Sequence, residues 1–261
     1  MSNYKDWIKA VDIQVDYYSA FMKAWIAFNA WYESGEIEGK TDKDKIDYIA
    51  YRSNRFKTYI ENLLTSEDTE GISFRESVGK LHNSLLNASI TTQEYVGVRQ
   101  AISFSSVAIK NKNNINRFEY FSNQYKCERA HGKIITTVIK KATGVELFRF
   151  EQEEYNKDEL IQQSTFLALT ATQQNKCEEC YKALEPYIIE SIIDPYPGEH
   201  SKKIGAYNFI SDTSKICSAI VVVLYLLRCG LAHGDVSPDE ASSKVYRYAY
   251  EVIVPPLKKL N

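Results

Sequence analysis

The sequence predicts a mainly helical bundle with a small inserted antiparallel β meander, all within one domain, residues 1–261. Three observations support this fold class: apolar side chains at helical spacing near both ends of the chain, one helix that is apolar on every side, and β-rich runs in residues 117–152. Of the 261 residues, 44% are hydrophobic, which suffices for one large core or two small ones.

The N-terminal part of the chain reads as successive helices. Apolar residues recur every three or four positions over residues 3–33 and stop at Gly35, which predicts a long amphipathic helix. Thr41 followed by Asp44 has the form of a capping box and predicts a second helix. The buried stripe expected for that second helix consists of Ile46, Ile49, Phe56, Ile60 and Leu63.

The middle of the chain contains the β-rich runs. Helical patterns over residues 73–87 and 91–110 come first, although the second also alternates like a strand. Glycine turns at His131-Gly132 and Thr143-Gly144 then separate short β-rich segments, which predict a three-strand meander. The expected strands are residues 118–121, 133–139 and 145–150, and a helical pattern returns over residues 157–184.

Near the C-terminus, cap-type residues 211–214 lead into the apolar run Ile216–Leu227, and Gly230 is the expected end of the helix. A helix that is apolar on every side is buried on every side. The run has twelve residues, too few to cross a bilayer, which predicts the central helix of a soluble bundle. Residues 237–240 then predict a final helix that ends before Pro255.

Composition limits the function classes. The formal net charge is -2, which argues against a protein that coats nucleic acid through bulk charge. The five cysteines are odd in number and no leader-like segment precedes Trp7. These features favour a reduced, cytoplasmic protein without a membrane segment.

Two residues at the end of the apolar helix carry the candidate chemistry, Arg228 and, five positions later, His233. Arginine can hold phosphate oxygens bidentately, and histidine can move protons near neutral pH. Because RNA brings its own nucleophile in the 2'-hydroxyl, these groups suffice for cleavage without a metal or cofactor. In one unbroken helix they would lie about 140° apart. We therefore expect them to meet through a backbone turn at Gly230 or across a dimer.

The segment Trp25–Tyr32, paired with the Arg-x4-His element at 228–233, resembles the HEPN superfamily (higher eukaryotes and prokaryotes nucleotide-binding) over roughly residues 1–110 and 157–255. The resemblance implies a metal-independent endoribonuclease of toxin–antitoxin or antiviral-defence type. It also implies a homodimer that pairs two motifs, with RNA and an antitoxin or defence-system protein as partners. Family nucleases usually carry Asn, Asp or His directly after the arginine, where this chain has Cys229.

Further residues are weaker candidates. Asn29 lies on the apolar stripe of the first helix, where it would either lock helix packing or direct its amide toward the Arg228/His233 site. Asp235 would either orient the imidazole or serve as a polar loop residue. Arg52, Arg55 and Lys57 form a basic group. This group is either a surface that binds RNA phosphates or an ordinary solvated helix face.

Other chemistries lack support in the sequence. Cys177 and Cys180 have metal-ligand spacing, but no second pair completes four ligands, so we expect no metal site. His82, His131 and His200 have no cysteine or carboxylate constellation around them, and we expect them to be structural. The alternative to the nuclease is a noncatalytic module that binds RNA, a nucleotide or a partner protein as regulator or sensor.

Overall fold

The structure, a computed structural model, describes residues 16–91, 101–196, 198 and 201–261. The chain divides into two compact units. Unit 1 comprises residues 1–109 and 189–261, and unit 2 comprises residues 110–188. The inserted unit is therefore longer than the β segment 117–152 indicated by the sequence, because it also contains three short helices.

The elements are numbered here along the chain. The helices are α1 Tyr17–Trp31, α2 Asp42–Tyr51, α3 Arg55–Thr65, α4 Thr69–Ala88, α5 Lys157–Ile161, α6 Ser164–Leu167, α7 Ala171–Lys182, α8 Thr213–Ala232 and α9 Glu240–Lys258. The strands are β1 Val107–Lys110, β2 Ile115–Tyr120, β3 Asn123–Ala130, β4 Lys133–Lys140, β5 Glu146–Gln152, β6 Tyr187–Glu190, β7 Lys202–Ile204 and β8 Tyr207–Phe209. A π-helical turn, Tyr32–Glu36, follows α1.

Local signals account for the starts of several helices in unit 1. The carboxylate of Asp16 caps α1, and the positive φ of Gly35 interrupts the turn that follows the helix. Helix α1 confirms part of the first predicted helix, whose residues 3–15 lie outside the described residues. Thr41 and Asp44 form the predicted capping box at the start of α2.

The predicted second helix is in fact two helices. Its stripe residues are all buried, but they belong to α2 and α3, and the backbone between them is extended at Arg52. The side chain of Asn54 then caps α3 by accepting a 2.9 Å hydrogen bond from the Lys57 N–H. An asparagine cap can start a new helix without interrupting the apolar spacing, so periodicity alone did not reveal the break.

Helix α8 is the central helix of unit 1, as its apolar sequence predicted. All twelve residues of the run Ile216–Leu227 except Tyr225 are buried, and the helix packs against α2 and α3. Helix α9 lies along both α1 and α4. The prediction that α9 ends before Pro255 is wrong: the helix includes both prolines and continues to Lys258, with Pro256 and Ile253 buried.

Helix α8 also meets the length and composition of a membrane span, since the whole helix is 20 residues long. No other helix of the described residues does so. The described helices therefore do not have the pattern of a protein with several membrane spans. Of the most apolar 18-residue window of α8, 67% is buried inside the protein. The buried core helix of a soluble protein has these same properties.

Unit 2 is built on an antiparallel sheet with strand order β2-β3-β4-β5. Helix α7 packs against β2, β3 and β4. Along β3 the buried residues Asn123, Tyr125 and Cys127 alternate with less buried ones, as expected for a sheet with one buried face. The core of the unit consists of Tyr125, Cys127, Ile134, Val138, Phe148, Leu160, Phe166, Leu169, Cys177, Cys180, Tyr181 and Leu184.

The predicted fold class is wrong. About 52% of the described residues are helical and about 21% lie in strands, so the protein is a mixed α/β structure and not a mainly helical bundle. The sequence indicated three strands and the sheet has four. The missing strand, β3, has the sequence NQYKCERA, whose polar residues have low β propensity. It forms because β2 and β4 pair with it on both sides.

Two other segments differ from the helical prediction. In the described part of residues 91–110, isolated bridges and strand β1 occur where a helix was the first interpretation. The pattern over residues 157–184 belongs to three short helices, α5, α6 and α7. Asn156 and Thr170 each cap a new helix start there, so the apolar spacing continues while the helix does not.

Candidate functional site

The end of α8 determines how Arg228 and His233 are arranged. The predicted stop at Gly230 is wrong, because the helix continues to Ala232 and Gly230 is buried within it. His233 is the C-cap, and the residue after it, Gly234, has the left-handed φ of 73° that stops the helix. The N–H of Asp235 donates to the carbonyl of Gly230 at 2.9 Å and the N–H of Gly234 donates to that of Leu231 at 3.3 Å. These two bonds form a Schellman motif.

Because the helix does not turn at Gly230, Arg228 and His233 project from one continuous helix. His233 is its C-cap, with a right-handed helical backbone, so five steps of about 100° separate the two side chains by about 140°. Among the described residues, no hydrogen bond or ion pair joins them. Of the two expected routes to convergence, the turn within the chain is absent, and a second copy is the route still available.

Arg228 is half-buried and faces a carboxylate from α2. Its Nη1 lies 3.7 Å from Oδ2 of Asp42, and the two side chains are 30% and 34% exposed. The two groups form an ion pair, but these atoms are too far apart for a hydrogen bond. Nη1 also lies 3.9 Å from the Sγ of Cys229. Partial burial lowers the pKa of Arg228, but Cys229 and Asp42 outweigh it, so its pKa is raised and it stays charged.

Asp42 is in turn held by α1 and the turn that follows it. The hydroxyl of Tyr32 donates a short hydrogen bond to Oδ1 of Asp42, and Nδ2 of Asn29 donates to the Tyr32 hydroxyl at 2.6 Å. Tyr32 is fully buried. Burial and the bond to Asp42 raise the pKa of Tyr32, so the phenol keeps its proton. Asn29 is thus connected to Arg228 through two intermediate side chains.

The residue after Arg228, Cys229, lies beside Tyr225. Cys229 is partly buried, and its neighbour one turn earlier is Tyr225, whose ring lies 6.2 Å from that of Trp25 on α1. Burial, followed by the proximity of Cys229, raises the pKa of Tyr225. The thiol that follows Arg228 therefore lies beside a tyrosine.

His233 and Asp235 lie at the exposed end of α8. The backbone N–H of His233 donates to the carbonyl of Cys229 at 3.0 Å, which fixes its backbone but leaves the imidazole outside the helical hydrogen bonds. Asp235 belongs to the Schellman motif through its own backbone N–H and comes two residues after the imidazole. Both of these residues are accessible to a ligand.

The three basic candidates of α2 and α3 do not form one surface. Arg52 is exposed, with its guanidinium carbon 5.6 Å from the centre of the Tyr48 ring. Arg55 is exposed, but it pairs with Glu36 at 3.2 Å and donates to the carbonyl of Leu260 at 3.0 Å. Lys57 is only 7% exposed. Its Nζ donates to the carbonyl of Ala50 at 3.0 Å, so Lys57 is part of the core.

Two residues of this site, Tyr32 and Asp42, were not identified by sequence reasoning. Tyr32 falls within the apolar pattern of residues 3–33, which predicts packing alone, and Asp42 follows the cap residue Thr41, where an acid needs no explanation beyond the helix dipole. A signal was present in Tyr32, because a buried tyrosine hydroxyl requires a polar partner. Nothing in the local sequence near residue 42 indicates the partner Arg228.

The remaining candidates lie apart from this site. Cys177 and Cys180 are buried in the core of unit 2 with Cys127, and burial raises the pKa of Cys177. No group of three or more metal-ligating side chains with suitable geometry occurs in the described part of the chain. A cavity of about 470 Å³ lies between α4 and α9, lined by Lys80, Asn83, Lys244 and Tyr248 among others, and includes neither Arg228 nor His233.

The chain was compared with protein-family models, with curated proteins and with solved structures, and it has no match in any of the three.

Proposed function

We propose that the protein is a metal-independent endoribonuclease of HEPN type, with Arg228 and His233 as its catalytic residues. The observation that carries this proposal is the state of the Arg228 guanidinium. It is half-buried and permanently charged, and its Nη1 contacts Oδ2 of Asp42 at 3.7 Å and the Sγ of Cys229 at 3.9 Å. In the described part of the chain its Nε and Nη2 have no hydrogen-bond partner. A guanidinium with open donors is suited to a phosphate, which accepts two parallel hydrogen bonds.

The proposed reaction uses the 2'-hydroxyl of RNA as the nucleophile. Arg228 would hold the phosphate oxygens and stabilise the added negative charge, while an imidazole removes the 2'-proton. The 2'-oxygen bonds to phosphorus, and the bond to the 5'-oxygen breaks. A second imidazole protonates that 5'-oxygen, so the products are a 2',3'-cyclic phosphate and a 5'-hydroxyl.

The two proton transfers support a homodimer. One imidazole cannot act as base and acid in the same step, and the continuous α8 places Arg228 and His233 about 140° apart within one chain. A twofold axis near the end of α8 would bring the His233 of one protomer toward the Arg228 of the other. The exposed position of His233 supports this arrangement.

The test is cleavage of mixed RNA in EDTA by the wild type and by His233→Asn. We expect the substitution to reduce cleavage about 10²- to 10⁴-fold and the wild-type products to carry 2',3'-cyclic phosphate ends. His131→Asn is the matched control, since His131 is also an exposed histidine and asparagine tolerates its left-handed backbone. Equal cleavage by wild type and His233→Asn, or 3'-hydroxyl product ends, would contradict the nuclease proposal.

The proposed homodimer predicts that the activity depends on dimer formation. The specific activity should fall when the protein is diluted below its dimer dissociation constant, as measured by light scattering. Excess His233→Asn protein mixed with the wild type should lower the activity per wild-type subunit, because a mixed dimer holds only one of the two imidazoles that the reaction uses. Full activity in a monomer would exclude the shared site.

A noncatalytic module that binds RNA, a nucleotide or a partner protein is the second candidate. It is favoured by the pairing of Arg228 with Asp42 and by the cysteine that follows the arginine. Binding of RNA without cleavage, unchanged in His233→Asn, would support it. For either function we propose a cytoplasmic location and an antitoxin or defence-system partner, and the five free thiols of the chain support a reducing compartment.

A further inference from the structure

Four side chains of unit 1 form one line of contacts that ends at Arg228. Asn29 Nδ2 donates to the Tyr32 hydroxyl at 2.6 Å, and the Tyr32 hydroxyl donates to Oδ1 of Asp42. The other oxygen of Asp42, Oδ2, lies 3.7 Å from Nη1 of Arg228. The line begins on α1, passes through α2 and ends on α8.

Each hydrogen bond in this line has only one direction. The hydroxyl of Tyr32 has a single hydrogen, and because its oxygen accepts from Asn29, that hydrogen is available to Asp42. The residue is fully buried, so no water competes for it. Asp42 therefore has one oxygen occupied by the phenol, and only its second oxygen faces the guanidinium.

The guanidinium has two edges that can each bind an anion, and Asp42 contacts only one nitrogen. A guanidinium carries five N–H donors in a planar fork, and a phosphate can take the Nε and Nη2 donors while a carboxylate stays beside Nη1. In the part of the chain that the structure describes, Nε and Nη2 of Arg228 have no hydrogen-bond partner. The carboxylate and a phosphate can thus be bound at the same time.

We propose that Asp42 and Tyr32 are positioning residues that orient Arg228 so that its Nε and Nη2 receive an RNA phosphate. This inference rests on the proposed function. An arginine side chain with freely rotating bonds loses conformational entropy when it binds a ligand, and a partner that already restrains it reduces that loss. Asp42 restrains the guanidinium, and Tyr32 restrains Asp42.

The first test is binding of a 2'-O-methyl RNA oligonucleotide, which lacks the nucleophile and is not cleaved. We expect Asp42→Asn to weaken binding about fivefold to tenfold and Tyr32→Phe about twofold to threefold, on the scale of the entropy lost when one long side chain is immobilised. With cleavable RNA, KM should rise by the same factors. Tighter binding by Asp42→Asn would overturn the proposal, because it would make the carboxylate a competitor of the phosphate.

Glu240→Gln is the matched control. Like Asp42, Glu240 is the first residue of a helix in unit 1 and forms an ion pair, with Lys244 at 2.7 Å. Its substitution removes an acid from the same helical position without touching Arg228. We expect unchanged RNA binding. An equal loss in Glu240→Gln and Asp42→Asn would show that only the overall charge matters and would contradict a positioning role.

The second test does not depend on RNA. In the free protein, the NMR order parameter of the Arg228 Nε–Hε group should fall in Asp42→Asn and in Tyr32→Phe, and should not change in Glu240→Gln. A structural role of Asp42 in helix stability would leave that order parameter unchanged. If the wild type does not cleave or bind RNA, the proposed function fails, and the order parameter still decides whether Asp42 and Tyr32 position Arg228.

A double-mutant cycle separates the two residues from their surroundings. In an Arg228→Ala background, Asp42→Asn should have no further effect on the affinity for the oligonucleotide, because the group that it positions is gone. A tenfold further loss in that background would show that Asp42 acts on RNA by another route. Thermal unfolding of each variant, with melting curves like that of the wild type, verifies that the fold is intact.

Discussion

The hydroxyl of Tyr246 donates a 2.8 Å hydrogen bond to the backbone carbonyl of Leu227, the residue immediately before Arg228. Tyr246 is fully buried on α9, and its ring also contacts Phe21 and Tyr18 on α1, with centroid distances of 5.4 and 5.0 Å. One side chain therefore links α1, α8 and α9 directly behind the candidate site. The end of α8 is a fixed part of the core, while the side chain of Arg228 beyond it is half-buried and His233 is exposed.

The link made by Tyr246 predicts a measurable stability effect. Tyr246→Phe should lower the free energy of unfolding by about 1 kcal/mol, because it removes a buried hydrogen bond while the ring contacts stay. Chemical denaturation at neutral pH measures this. Tyr250→Phe is the control on the same helix, since its hydroxyl makes no hydrogen bond among the described residues. Equal stability of the two variants would contradict the role given to the Tyr246 hydroxyl.

Protonation of His82 should destabilise the fold at acidic pH. The imidazole is buried beside Tyr207, with a centroid distance of 4.5 Å, and its Nδ1 has no hydrogen-bond partner in the described residues. Burial lowers the pKa of His82 below the ordinary histidine value of about 6.5. Between the two pKa values the unfolded chain binds a proton that the folded chain does not, so stability falls as pH falls, by up to about 1.4 kcal/mol per pH unit.

The comparison of wild type with His82→Phe isolates this contribution. Phenylalanine is close in size and never charged, so the free energy of unfolding of the variant should decline less between about pH 7.5 and pH 5. Urea titrations at several pH values measure both slopes, and the carboxylates contribute equally to each. Parallel slopes would mean that His82 does not titrate differently in the folded and unfolded states.

The turn between β2 and β3 should become more stable when its aromatic residue is replaced. Phe121 has a φ of 49°, a left-handed conformation that disfavours a bulky side chain, and it is 80% exposed. Phe121→Gly should therefore stabilise the hairpin by about 0.5–1 kcal/mol, since it relieves strain and loses little burial. Hydrogen exchange of the β2 and β3 amides measures the change. Faster exchange in the variant would contradict the strain argument.

Lys57 and Arg52 should respond in opposite ways to the same substitution. Lys57→Met removes one of two donors to the buried carbonyl of Ala50, the other being the Ser218 hydroxyl, which should cost about 0.5–1.5 kcal/mol of stability and leave RNA affinity unchanged. Arg52→Met removes an exposed charge, so it should weaken RNA binding about twofold to fivefold with little effect on stability. Thermal unfolding and fluorescence anisotropy separate the two effects. If Lys57→Met lowered the affinity for RNA without changing stability, Lys57 would belong to the RNA-binding surface.

Short-range signals identified much of unit 1. Three predicted features depend on residues close together in the sequence: the capping box at Thr41, the apolar run of α8 and the start of α9 near Asp239. The local sequence is therefore sufficient to predict each of them. The same reasoning failed at β3, whose polar residues become a strand only because two neighbours pair with it. It also failed at Gly230, where either of two nearby glycines could end the helix.

What the sequence alone determined is therefore local: the buried α8, the exposed histidine after it, the turns at Gly132 and Gly144, and an arginine at the edge of the core. The tertiary structure decided which groups meet. Asp42 is far from Arg228 along the chain, and the Nζ of the buried Lys57 donates to the carbonyl of Ala50 on the preceding helix. The physical reason is that caps, turns and helical periodicity act over a few residues, whereas ion pairs, sheet pairing and burial depend on chain segments that folding alone brings together.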